Sequence, residues 1–341
     1  MTRGAPGFRA DAELFNTRFD SIHPAAIAHC RSAADVAACI LFARSHNVPI
    51  AARSGGHSYA GYSTGRGLVI DVTPMNQVSV DPNAGSAAVG AGTRLVDMYS
   101  RLAGAGVLVP SGSCPTVGIG GLTLGGGIGV LGRKYGLTCD NLRSVEIVTA
   151  NGDVLSCDET HNADLFWACR GGGGGNFGVA TRFVFGTHRA TALSLFTLVW
   201  AWPAAPAVVS AWMDWMQAAP DELWSNCLLL PTDGGPAASG ATPSCRVTGV
   251  YVGDTDALAR NVAALTAVTP APSSRFIGLP SSVLHVMLVE AGCDNLSVAQ
   301  CHLPSQNPAG VLKRDTFAAK SDFADEPIAA GGIGVLVDAV E

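Results

Sequence analysis

His57 and Cys114 are the residues of this chain best placed to do chemistry, because each stands in a glycine-rich loop. The first loop reads Arg53-Ser54-Gly55-Gly56-His57-Ser58. The second reads Ser111-Gly112-Ser113-Cys114-Pro115-Thr116-Val117-Gly118-Ile119-Gly120-Gly121 and runs on to Gly125-Gly126-Gly127-Ile128-Gly129. Glycine has no Cβ to hold a ligand off the backbone, and glycine runs leave N–H groups free to converge on phosphate oxygens. Imidazole and thiol are both nucleophiles. One of each in two such loops points to a cofactor held by covalent bonds. Alone, a loop histidine reads as a surface or supporting group, and a lone cysteine as small core filler. The pair and its flanks carry the reading.

Those flanks resemble the FAD-linked oxidases of the vanillyl-alcohol oxidase superfamily, and within it the berberine bridge enzyme-like branch. Arg133-Lys134-Tyr135-Gly136-Leu137-Thr138-Cys139-Asp140-Asn141 is similar to that family's R-K-Y-G-L-x-x-D-N stretch. Asp164-Leu165-Phe166-Trp167-Ala168-Cys169-Arg170, five glycines and Asn176-Phe177-Gly178-Val179 match its D-L-F-W-A-x-R-G-G-G-G-G-N-F-G-V element. Phe15-Asn16-Thr17-Arg18-Phe19-Asp20 and Phe317-Ala318-Ala319-Lys320-Ser321-Asp322 fit as well. The likeness thus runs over nearly the whole chain.

The resemblance implies an α+β flavoprotein of two domains. A PCMH-type FAD-binding domain of mixed strands and helices is expected over residues 20–190, and an antiparallel-sheet substrate domain, incomplete at its C-terminal end, over 191–341. It implies bicovalent FAD, with His57 on the flavin 8α-methyl and Cys114 on C6. Arg53, Ser54, Gly55, Gly56, Ser58, Val117, Gly118, Gly121, Gly125, Asn141, Gly178 and Val179 are the expected cofactor-binding residues. Val117 takes the position that gates oxygen beside C4a. Tyr59 is placed on the substrate side, over the pyrimidine edge, with plain packing under the loop as its alternative. Tyr135 reads as a packing residue. The tyrosine or acidic residue that serves as base in relatives falls beyond residue 341, so the general base is not identified. Backbone N–H groups of the Gly118–Gly121 turn are expected to favour the Cys114 thiolate.

The expected reaction takes a hydride from a CH–OH group to flavin N5, with O2 as acceptor giving H2O2. The donor is a small molecule, a carbohydrate first and a secondary metabolite second. The alternatives are a dehydrogenase that uses another acceptor and a flavin-binding remnant without activity. A dinucleotide-binding Rossmann domain is rejected. Gly127–Gly132 and Gly173–Gly178 match G-x-G-x-x-G by letter, but neither has an apolar strand before it and a helix after it.

The elements that must position these loops follow from local signals. Ser32-Ala33-Ala34-Asp35 is a capping-box start to a helix with Val36, Ile40, Leu41 and Val48 on its apolar side, ended by Pro49. A strand through Arg53 then delivers the chain into the histidine loop. Leu68–Val72 and Val78–Val80 read as strands, with a turn at Asp81-Pro82-Asn83, and Thr93–Leu102 as a helix stopped by Gly104 and Gly106. Asn151-Gly152 marks a hairpin between Val145–Val148 and Val154-Leu155. Beyond residue 190 the tryptophans Trp200, Trp202, Trp212, Trp215 and Trp224 suggest a second core. Pro231–Pro243 reads as a surface loop, Val247–Val252 as a strand, Asp254–Leu265 as a helix and Ile333–Val337 as a strand with an exposed apolar edge.

Composition bounds the rest. At 341 residues two domains are expected, and 48% hydrophobic against 14% charged residues supplies large cores. Net charge is −6 and the lysines are Lys134, Lys313 and Lys320 alone, so no basic stripe suits nucleic acid. Leu193–Trp202 is too short to cross a membrane. Met1–Ala10 has no signal-type stretch, which places the chain as written in the cytoplasm; a missing leader would make it secreted. No C-x-x-C pair suggests a metal. Cys30, Cys39 and Cys169 read as core, and Cys293 with Cys301 as a local disulfide, against two buried thiols as the alternative.

Overall fold

The computed structural model describes residues 1–231, 243–324 and 326–340. The chain divides into two compact units, Met1–Ala190 with Met287–Ala319, and Thr191–Val286 with Lys320–Glu341. The break at residue 190 falls where the glycine loops cease. Residues 1–19 and 287–319 also belong to the first unit, which a division into 20–190 and 191–341 leaves out.

In the first unit β1 (Ala26–His29), β2 (Ile50–Arg53) and β3 (Leu68–Asp71) make a parallel sheet in the order β1-β3-β2. β3 is central and buried at every position, with the apolar Leu68, Val69 and Ile70 followed by Asp71, which pairs with Arg53. The helix Ala33–Ser45 starts in the expected capping box, with Ser32 and Asp35 each accepting the other's backbone N–H. It stops earlier than expected, and Pro49 is not the cause. Asn47 takes the left-handed conformation at φ 51°, Val48 N–H bonds Ala43 C=O at 2.8 Å and Asn47 N–H bonds Arg44 C=O. That is a Schellman ending. The buried face is Val36, Ile40 and Ala43; Leu41 lies outside it, 47% exposed, over Gly152.

β4 (Val78–Asp81) and β5 (Ser86–Gly90) open a five-stranded antiparallel sheet whose turn is held by the Asp81 carboxylate on the N–H groups of Asn83 and Ala84. After the two-residue β6 (Val107–Leu108) the sheet continues with β7 (Leu142–Val148), β8 (Val154–Cys157) and β9 (Val179–Gly186), in the order β4-β5-β9-β7-β8. Gly152 at φ 83° makes the β7–β8 turn. β10 (His188–Arg189) pairs with β6. The helix Leu95–Gly104 runs one turn-half past Leu102, and Gly106 at φ 72° ends it. Of the letter matches to the Rossmann fingerprint, Gly127–Gly132 lies between two short helices and Gly173–Gly178 leads into a strand.

Two sets of contacts explain why distant segments join this unit. Arg314 reaches Leu14 C=O at 2.7 Å, Glu13 at 3.0 Å and Asp20, while Asn16 donates to Phe317 C=O at 2.8 Å. Cys293 and Cys301 are disulfide-bonded, Cα to Cα 5.9 Å, and pack on Val96.

The second unit is an antiparallel sheet of β11 (Leu193–Ala201), β12 (Leu223–Leu230), β13 (Ser244–Val252) and β14 (Ser274–Ile277), ordered β12-β13-β11-β14. Trp200 and Trp202 are buried in its core, with Trp212 and Trp215 packed against them; Trp224 points to the other face of β12 from buried Leu223. Helices Ala205–Ala218 and Thr255–Thr266 cover it. Ile333–Val337 is not a strand but part of the helix Ala330–Asp338, which packs on Ala205–Ala218. A helix puts Ile333 and Val337 on one buried face and leaves Val335 68% exposed. Most of the expected loop Pro231–Pro243 lies outside the described residues.

Candidate functional site

β2 ends at Arg53 and releases the chain into residues 54–58. Buried Arg53 anchors that exit, donating to Asp11 C=O at 2.6 Å and Ser63 C=O at 3.1 Å and pairing with Asp71 at 3.7 Å. The second loop is fixed by the helix Leu95–Gly104. Leu95 and Val96 N–H bond the carbonyls of Val117 and Pro115, and Tyr99 OH donates to Gly112 C=O at 2.7 Å.

The two loops meet backbone to backbone. A Cβ on Gly55 would fall 2.1 Å from Gly118 N, and one on Gly118 would fall 2.2 Å from Gly55 N. These two glycines therefore let the loops approach each other backbone to backbone. Gly178 likewise clears Val148 C=O, at 2.4 Å, and Val179 is buried in β9. Gly121 differs: nothing lies within 4 Å of its would-be Cβ. Gly125 caps the helix Ile119–Leu124, and Gly171 and Gly173 N–H both bond Leu124 C=O. Glycine runs far apart in sequence thus converge there.

His57 lies in the seam. Its Nε2 is 2.8 Å from Thr116 Oγ1, and its ring stacks on Phe15 at 4.1 Å. Burial, aided by the Arg94 cation, pushes its pKa down to about 4, so the imidazole is neutral at pH 7. Cys114 stands two residues before Thr116. Burial holds the Cys114 thiol above its ordinary value, and the neighbouring Thr116 and Val117 groups oppose that rise without reversing it. The thiolate assistance expected from the Gly118–Gly121 turn is thus corrected: burial raises the Cys114 pKa and keeps the thiol protonated.

Tyr59 is 59% exposed and meets Phe317 edge-on at 5.0 Å; Phe317 in turn lies 6.3 Å from Phe15. Val117 is half-buried between Thr116 and Gly118. Ser58 Oγ accepts from Tyr62 N–H, which shapes the loop after His57. Asn141 spends its amide on Tyr135 and Leu137 carbonyls and on His188, where Tyr135 also packs, so its side chain is a structural tie.

Thr116, Phe15 and Arg94 carry parts of this site that the sequence reading did not assign. Thr116 and Phe15 stood inside quoted motifs without a role; Arg94 had no local signal. A cofactor fits the arrangement on one observation. Arg53 Nη2, Thr64 Oγ1, Thr93 Oγ1, Arg94 Nε and Thr123 Oγ1, all in or beside the loops, are buried without a hydrogen-bond partner in the protein. Native proteins satisfy such atoms through ordered water, an ion or a bound ligand, and polar cofactor groups are one way to do so here. Among the described residues no cluster of three metal-ligating side chains occurs, and no helix is long and apolar enough to cross a membrane.

The profile of the FAD binding domain family matches residues 24–158. An uncharacterized FAD-linked oxidoreductase of Bacillus subtilis (strain 168), YvdP, is 36% identical over 261 residues, covering 76% of this chain and 56% of that protein. Physcomitrella patens BBE-like 1 superposes with a TM-score of 0.88 at 29% identity over 99% of this chain and 71% of its own. The glucooligosaccharide oxidase of Acremonium strictum, with 6-S-cysteinyl, 8α-N1-histidyl FAD, gives 0.75 at 29% identity over 85% of this chain and 60% of its own. The chain spans about half the length of the curated relatives it matches.

Proposed function

Because the chain belongs to the FAD-linked oxidoreductases of the vanillyl-alcohol oxidase superfamily, we propose that it is a bicovalent FAD-dependent oxidase of CH–OH donors, carbohydrates first. The observation that carries this reading is the seam itself, where a neutral imidazole and a thiol sit on two loops that meet backbone to backbone, with His57 hydrogen-bonded to Thr116 of the thiol's loop. The same pair of residue types bonds the flavin of the Acremonium strictum oxidase. Bound FAD would supply the hydride acceptor and the route to O2.

The chain's own residues do the rest. His57 and Cys114 hold the ring by its edge, so no deep enclosing pocket is needed and a bulky sugar can approach. Unmatched polar atoms of Arg53, Thr93, Arg94 and Thr123 answer the cofactor's polar groups. Gly121 gives it open backbone. Exposed Tyr59, two residues after His57 and edge-on to Phe317, would meet the substrate hydroxyl, and Val117 would be the residue beside which oxygen enters.

The test is anaerobic. Glucose-, xylose- or chitin-derived oligosaccharide should bleach the flavin absorbance, and air should restore it with one H2O2 per turnover. Val117→Leu should bleach normally and recover at least about tenfold more slowly, since one added methylene is felt in a packed site. Bleaching without peroxide on aeration would favour a dehydrogenase, and absence of bleaching by any CH–OH donor would refute the reading.

A further inference from the structure

His302 is buried, and both of its ring nitrogens face acceptors. Nδ1 is 2.8 Å from the Val298 carbonyl, which can only accept, so Nδ1 donates. Nε2 is 3.2 Å from a carboxylate oxygen of Asp97, 205 residues away in sequence on the helix Leu95–Gly104. A neutral imidazole has a single N–H, and Val298 takes it, which leaves a lone pair facing the carboxylate. The imidazolium donates to both.

The contact falls where the helix grips the Cys114 loop. First-turn N–H groups have no partner within their own helix. Those of Leu95 and Val96 hold the Val117 and Pro115 carbonyls, at 3.0 and 3.1 Å. Val96 also packs on the Cys293–Cys301 disulfide, which His302 follows directly in the chain. Three consecutive residues, Leu95, Val96 and Asp97, thus join the Cys114 loop to the disulfide-bonded segment. We infer that His302 is a positioning residue with a pH-sensitive hold: with both nitrogens protonated it ties that segment through Asp97 to the helix turn that fixes the Cys114 loop, and it lets go when Nε2 loses its proton. The tie is therefore full at low pH and lost as pH rises. From the helix side, Asp97 faces the ring, with Arg94 at the helix start acting on Asp97 in turn; Arg101, one turn beyond, is exposed. On its own segment the nearest charged residues in sequence, Asp294 and Lys313, are exposed. The bearing on flavin capture rests on the two-bond reading above; the tie itself does not.

The whole chain serves for the test, in whatever flavin state it is isolated. ¹⁵N resonances of His302 followed against pH should show Nδ1 protonated throughout and Nε2 losing its proton as pH rises. Hydrogen exchange at the Leu95 and Val96 amides, corrected for its intrinsic pH dependence, should speed about tenfold in the same window, the loss of one hydrogen bond between charged groups. Asp97→Asn offers an amide oxygen to the charged ring and an amide N–H to the neutral one, so protection should stay high and the step should vanish. Asp97→Ala should be weakly protected on both sides of the titration. A step of unchanged size in Asp97→Asn, or full protection in Asp97→Ala, would overturn the inference. So would exchange in the unaltered chain that ignores the titration, or a ring whose charge never changes while the chain stays folded. If the protein takes up no covalent flavin, the two-bond reading fails, and the exchange data still judge His302.

Discussion

His57 is half-buried against Phe15 and beside the Arg94 cation; desolvation first, and then the cation, disfavour its protonated form. The consequence for stability has a definite sign. Its pKa falls from 6.5 to about 4, so between those values the unfolded chain binds a proton that the folded site refuses. The stability due to this group is full above pH 6.5 and is lost as pH falls toward 4, by about 3 kcal/mol. Urea unfolding of flavin-free protein should show that decline, and His57→Gln should flatten it; equal slopes for the two proteins would contradict the burial argument. His57 and Cys114 were legible in the sequence because their glycine flanks are local. Thr116, Phe15 and Arg94 were not, since each acts through a contact that the chain makes only when folded. Thr116 and His57 are 59 residues apart.

Among the elements, the glycine loops show what a motif does and does not say. Density of glycine drew attention to these loops, and Gly55 and Gly118 are required by one another's backbone. Gly118→Ala should cost about 1–3 kcal/mol, because its Cβ has rigid backbone and Ser54 in the way. Gly121→Ala, with open space before it, should stay within about 0.5 kcal/mol in stability and still weaken flavin capture. Thermal or urea midpoints of the two variants separate these outcomes; equal loss from both would mean that the loops do not interlock as described. Helix starts and turns were readable where a side chain caps its own neighbourhood, as at Ser32, Asp81 and Asp254. The helix over Ile333–Val337 was not, because a short apolar run has no period that separates helix from strand, and its partner helix decides.

For the molecule as a whole, the α+β architecture and the position of the break near residue 190 followed from the pattern of strands, helices and glycine loops. That the first unit also gathers residues 287–319 did not, because Arg314 finds Glu13 and Asp20 across some three hundred residues. The return matters for function. It brings Phe317 onto Phe15 and Tyr59, so the wall beside His57 is built from both ends of the chain. The claim on which the functional reading turns is that His57 and Cys114 both bond one flavin. Acid-precipitated protein should remain yellow, and a protease digest should yield a single flavin peptide that joins the His57 and Cys114 segments. His57→Ala or Cys114→Ala alone should leave one link and a shifted absorbance spectrum. A colourless precipitate, with all the FAD free in the supernatant, would contradict it.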